Sequence, residues 1–86
     1  MGDDEKAFLQ LLEDLSLLLV YLTSWREKIP DGYLLRAWKG YDFGVLDALM
    51  EKGLIHGSRR GKSVYLTDEG VARAEKLKES LRTVIK

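Results

Sequence analysis

The stretch Gly57-Ser58-Arg59-Arg60-Gly61-Lys62-Ser63 gathers two glycines, three cations and two hydroxyls, the residue types with which a loop grips phosphate. A Walker-type loop places four residues between its glycines so that successive backbone N–H groups wrap the anion. Here only Ser58, Arg59 and Arg60 intervene. That motif also requires a helix directly after Lys-Ser, whose N-terminus holds the phosphate. Instead, Ser63-Val64-Tyr65-Leu66-Thr67 alternates as a half-buried strand does, with Val64 and Leu66 inward. The stretch therefore reads as the tip of a β-hairpin, with glycines at positive φ and Arg59, Arg60 and Lys62 exposed. Cations at such a tip either touch phosphate or the minor groove, giving sequence-independent affinity, or guard a sheet edge against association.

Other candidate chemistry is sparse. His56 is the sole histidine and reads as a surface residue, with no second ligand at a metal-binding spacing. Asp42 and Asp47 diverge on a helix, and Asp42 reads as a helix cap. There is no cysteine, hence no thiol nucleophile, disulfide or cysteine-based metal centre. Neither a Ser-His-Asp arrangement, an HExxH pair nor a dinucleotide fingerprint occurs. The expectation is a non-enzymatic protein with no catalytic residue, no metal and no cofactor. Trp38 and Tyr41, with Tyr33 and Phe43, read as aromatic packing between two helices in preference to a ligand pocket.

Fourteen basic residues balance fourteen acidic ones, so any attraction for nucleic acid must be local. The apolar run Leu15–Leu22 is far shorter than the roughly 20 residues of a membrane span. The opening residues lack the basic region of a secretory signal, and Lys6 replaces the Ser or Thr of a myristoylation motif. A cytoplasmic protein without membrane attachment is expected.

The 86 residues suffice for one domain with a small core. A long N-terminal helix is expected over 3–27, started by Asp3 or Asp4, with a heptad-like seam of Phe8, Leu11, Leu15, Leu18, Leu22 and Trp25. Leu9, Leu12, Leu17, Leu19, Val20 and Tyr21 make its later turns apolar almost all round, more than one core-facing stripe requires. The excess favours a homodimer interface of Phe8, Leu11, Leu15, Leu18 and Leu22 with Leu77 and Leu81 of the last helix; the alternative is unusually complete burial within one chain. Pro30-Asp31-Gly32 then marks a turn. A short helix over Tyr33–Lys39, broken by Gly40, and another from Asp42 to Gly53 would form a helix-turn-helix over 33–53. The hairpin occupies 54–67, and a final helix over 68–86 starts at Thr67.

The order helix, helix, helix, hairpin, helix, with Leu49-Met50-Glu51-Lys52-Gly53-Leu54-Ile55 and Tyr65-Leu66-Thr67-Asp68-Glu69-Gly70, resembles winged-helix regulators of the MarR and PadR kinds. More closely, Ala37-Trp38-Lys39-Gly40-Tyr41-Asp42-Phe43 and Lys62-Ser63-Val64-Tyr65-Leu66-Thr67 resemble an uncharacterised bacterial family of small proteins, over about Leu22 to Ala74. The resemblance implies an α+β winged helix: three helices, a hairpin wing and a C-terminal helix, with terminal helices pairing two chains. DNA contact would then fall to Arg59, Arg60 and Lys62 on the wing, helped by Arg36 and Lys39. The third helix departs from that pattern, because its outward positions are Asp42, Gly44, Asp47 and Glu51, which repel a phosphate backbone. Two readings follow: a regulator-like module touching nucleic acid through a basic wing, or a protein-interaction and dimerisation module that has lost DNA binding.

Overall fold

The computed structural model describes residues 2–58 and 60–85. Helix α1 (Asp3–Leu22) leads into a hairpin of β1 (Trp25–Ile29) and β2 (Gly32–Trp38). Helix α2 (Phe43–Glu51), β3 (Ile55–His56), β4 (Ser63–Leu66) and α3 (Asp68–Ile85) follow. The strands form one antiparallel sheet in the order β1-β2-β4-β3. Ala37, Ile55, Val64 and Leu66 from one sheet face join Leu17, Val20, Val45, Leu46, Leu49 and Ala74 from the helices in a single core. The helices therefore lie on one side of the sheet, and the shortest dimension, 19 Å, is that of two layers.

The expected short helix over Tyr33–Lys39 is not formed; Gly32–Trp38 is a strand, so no helix-turn-helix occupies 33–53. Leu34, Leu35, Arg36 and Ala37 are good helix formers, but pairing on both sides overrides that preference. Tyr33 lies opposite Lys28 on β1, and Ala37 opposite Val64 on β4. Pro30-Asp31 is a two-residue hairpin loop, closed by Gly32 at φ +139°, a value that favours glycine.

Helix α1 also ends earlier than expected, at Leu22 rather than near residue 27. The Thr23 hydroxyl donates to the Leu19 carbonyl (2.7 Å), which its own N–H also reaches, and the Ser24 hydroxyl to the Tyr21 carbonyl (2.6 Å), the acceptor a further turn would have used. Trp25 consequently belongs to the sheet. At the other end Gly2 occupies the cap position without a side-chain bond, and Asp3, Asp4 and Glu5 lie within the first turn, where they complement the helix dipole.

The remaining elements follow the sequence closely. Asp42 caps α2, its Oδ2 accepting from the Val45 N–H at 3.1 Å. Gly53, at φ +73°, ends it, with the Leu54 and Gly53 N–H groups returning to the Leu49 and Met50 carbonyls. Thr67 starts α3 by accepting from the Gly70 N–H at 3.0 Å. The β3–β4 hairpin is present with Val64 and Leu66 buried. Its glycines work differently from expectation. Neither Gly57 nor Gly61 has positive φ. They make room: a Cβ on Gly57 would sit 3.0 Å from Val64 Cγ1, and one on Gly61 2.8 Å from Ser58 Oγ.

Candidate functional site

Two surfaces stand out, one on each layer. On α1, six apolar side chains, Phe8, Leu11, Leu12, Leu15, Leu19 and Leu22, are between 37% and 62% exposed. At the pitch of an α-helix they fall within an arc of about 100°, opposite the core-facing Leu17, and run about 21 Å along the axis. Four seam residues expected from sequence, Phe8, Leu11, Leu15 and Leu22, are on this stripe. Leu18 is not: it is only 5% exposed and falls just outside the arc, whereas Leu19 lies within it. Leu77 packs against the core instead of joining the stripe, and Leu81 is half-buried. Ion pairs hold α1 with the stripe outward, Glu13 meeting Lys52 at the C-terminal cap of α2 and Asp14 meeting Arg73 of α3 at 3.2 Å.

The second surface is the sheet face turned away from the helices. Side chains alternate across a pleat, and the register places Trp25, Arg36, Tyr65 and His56 directly opposite one another, one from each strand. This transverse row spans about 14 Å. Trp38 and Ser63 form the next pair on the same face. The Trp25 and Trp38 rings lie 4.9 Å apart, and those of His56 and Tyr65 5.2 Å apart. Between them the Arg36 guanidinium sits over the Tyr65 ring at 5.7 Å. It is fixed in place by Glu27, with Nη2 donating to Oε1 at 3.0 Å, and by a long bond from Nη1 to Ser63 Oγ at 3.3 Å. Its Nε approaches Glu27 Oε2 at 2.8 Å as an ion pair, off the line of a hydrogen bond. His56 is exposed, as its reading as a surface residue expected, but Trp38 is 65% exposed and does not pack a helix junction. Tyr33 and Phe43 are also exposed, and only Tyr41 of that group packs on the core.

The cations expected to meet nucleic acid are distributed around this sheet. Arg36 lies in its open face. Lys39 follows β2, its N–H bonding the Lys62 carbonyl (2.9 Å) and its Nζ the Ser58 carbonyl (2.5 Å), beside a cleft of about 520 Å³ lined by Phe43, Asp47 and Met50. Arg60 and Lys62 are exposed on the β3–β4 loop. Arg59 lies outside the described residues. By sequence, the strands with their loops (23–40 and 53–67) hold seven Lys and Arg against two Asp and Glu, whereas the remaining segments hold seven against twelve. A formally neutral chain is thus divided into a basic sheet layer and an acidic helical one.

The row and the charge division escape a reading that makes 33–39 helical. The signal available in sequence was Pro30-Asp31-Gly32 flanked by Trp25–Ile29 and Tyr33–Trp38, a tight turn between segments rich in aromatic and apolar residues. Among the described residues no cluster of three metal-ligating side chains occurs, and no helix is long and apolar enough to cross a membrane.

Fold and surfaces together define a small two-layer α+β domain with an open sheet face. The chain belongs to the family described as a domain of unknown function, DUF6429, which matches residues 9–84. It is 40% identical over 73 residues to the uncharacterized protein y4hR of Sinorhizobium fredii (strain NBRC 101917 / NGR234), a match covering 84% of this chain and 89% of that protein. The expected kinship with an uncharacterised bacterial family is this one, and it extends beyond both ends of the segment that carried the resemblance. No solved structure matches.

Proposed function

We propose that the protein is a non-enzymatic interaction module that pairs with a second copy of itself through α1. The observation that carries this reading is the exposed stripe and its symmetry. About Leu15, Phe8 and Leu22 stand seven residues to either side, and Leu11 and Leu19 four. A two-fold axis at Leu15 therefore brings Phe8 of each chain against Leu22 of the other in an isologous, antiparallel contact. Antiparallel pairing also separates the acidic first turns, Asp3, Asp4 and Glu5, and opposes the helix dipoles. The six exposures amount to about three fully exposed side chains, on the order of 500 Å² per chain and ~1,000 Å² per pair, the low end for specific interfaces. A concentration-dependent dimer fits that size.

The regulator-like reading retains the basic β3–β4 hairpin as its support. Duplex readout through α2 has less, because Asp42, Gly44, Asp47 and Glu51 are exposed there. Light scattering across concentration tests self-pairing: the expected result is a dimer that dissociates on dilution, and a Leu15→Glu variant that stays monomeric. Because Leu15 is exposed in the single chain, that variant should keep its helicity and lose no more than about 0.5 kcal/mol of monomer stability. A wild-type chain that remains monomeric at every concentration refutes the reading.

A further inference from the structure

We propose that the open sheet face binds single-stranded nucleic acid, its unpaired bases stacking on the Trp25–Arg36–Tyr65–His56 row and on Trp38. The arrangement has the two components such binding requires. The first is a set of aromatic rings at the spacing of neighbouring strands, with Trp38 and His56 exposed and Trp25 and Tyr65 half-buried beside them. Trp38 leans against Trp25, His56 lies beside Tyr65, and Arg36, opposite Trp25 in register, sits over the Tyr65 ring. Every base has a π face, so a row of this kind accepts bases without reading their edges. Its width of about 14 Å suits roughly two or three bases.

The second component is charge. The strands and loops carry an excess of five positive charges by sequence; Arg26 and Lys28 alternate to the other side of the sheet, so the cations that serve the open face are those of the β3–β4 loop, where Arg60 and Lys62 stand exposed beside its Trp38–Ser63 end. Glu27 offsets much of the charge of Arg36, which assigns Arg36 to stacking and leaves phosphate to the loop cations. A duplex fits this face poorly, because its bases are already paired and stacked and its grooves take a protruding element rather than a flat sheet. A protein partner would be met by a tryptophan-rich patch equally well, but the basic excess concentrated in this layer favours a polyanion.

The test uses the full chain with fluorescently labelled oligouridine and oligothymidine of about ten nucleotides, a length within the range of single-strand sites, and a duplex of equal length. Both single strands should bind with an affinity that falls with salt, quenching tryptophan fluorescence, while the duplex binds at least about tenfold more weakly. Binding of either strand supports the proposal, and the ratio between them assigns the preferred sugar. Trp38→Ala and Tyr65→Ala should each weaken binding by roughly 5- to 100-fold at an unchanged salt slope, with Tyr65→Phe retaining it. Replacing Arg60 and Lys62 together with Ala should instead reduce the log–log slope by about 1.4. Trp38 is largely exposed, so its variant is expected to fold, as circular dichroism would verify. Absence of single-strand binding at low salt, equal binding of duplex, or affinity indifferent to both aromatic variants overturns the proposal. The first of these outcomes would leave the face to a protein partner.

Discussion

At Gly70 a single missing methyl group decides whether a helix can dock. The residue lies in the first turn of α3, and a Cβ built there would stand 1.8 Å from the Leu54 carbonyl oxygen and 2.9 Å from its carbon. That carbonyl cannot easily retreat, because it accepts from the Thr67 N–H at 3.1 Å and lies within reach of the Thr67 hydroxyl at the same distance. Glycine inside a helix costs about 1 kcal/mol relative to alanine, so its presence here has a packing cause. Gly70→Ala should gain that propensity and lose far more, for a net destabilisation of about 3 kcal/mol in chemical unfolding. A variant as stable as the wild type would show that α3 can be displaced from β3 without penalty. In the motif Tyr65-Leu66-Thr67-Asp68-Glu69-Gly70 the cap at Thr67 was legible from residue type alone. The glycine's role was not, since it depends on the carbonyl of Leu54, sixteen residues before Gly70.

Between elements, α1 and α3 are joined by the Tyr21 hydroxyl donating to Glu75 Oε1 at 2.8 Å. This hydrogen bond, with burial and the carboxylate's charge adding to it, raises the Tyr21 phenol above its ordinary pKa. The folded state therefore holds the phenolic proton more tightly than the unfolded chain does. The resulting stabilisation is fully present below the ordinary phenol range and is lost as pH rises through the raised folded value. Because the pair is solvent-accessible, Tyr21→Phe should cost at most about 0.5 kcal/mol at neutral pH. It should also remove part of the alkaline fall in stability seen in denaturant midpoints; identical pH profiles would mean that the bond does not persist in solution. The same scale shows what sequence patterning reaches. Asp42, Gly53 and Thr67 announce α2 and α3 because their signals are local, and Val64 and Leu66 announce β4 through strict alternation. The β1–β2 hairpin was hidden because Leu34-Leu35-Arg36-Ala37 carries helix propensity, which outweighed the local turn signal at Pro30-Asp31-Gly32, while the pairing that fixes β2 on its other edge comes from β4, remote in the chain. With β2 misread, the aromatic row across the sheet could not be assembled.

For the whole molecule, the two proposed surfaces face opposite ways, since Leu17 and Val20 of α1 look toward the sheet and the stripe from Phe8 to Leu22 looks away. Pairing through α1 would set the helical layers back to back and leave two aromatic sheet faces outermost, each flanked by the cations of its β3–β4 loop. Such a dimer is bivalent. A strand long enough to reach both faces binds the second at a high effective concentration, so its affinity exceeds that of a short one without any new contact. Leu15→Glu separates the two properties, because it lies on the far layer from the row. For an oligonucleotide of about ten residues, the variant should match the wild type. For a strand several times longer, wild type should gain about 100-fold over the short probe, measured above the dimer's dissociation constant, and the monomeric variant should gain only the statistical factor of extra sites. If the variant loses affinity for the short strand as well, α1 pairing shapes the sheet face itself. If both proteins gain equally, one strand does not span the two faces and the back-to-back arrangement is wrong.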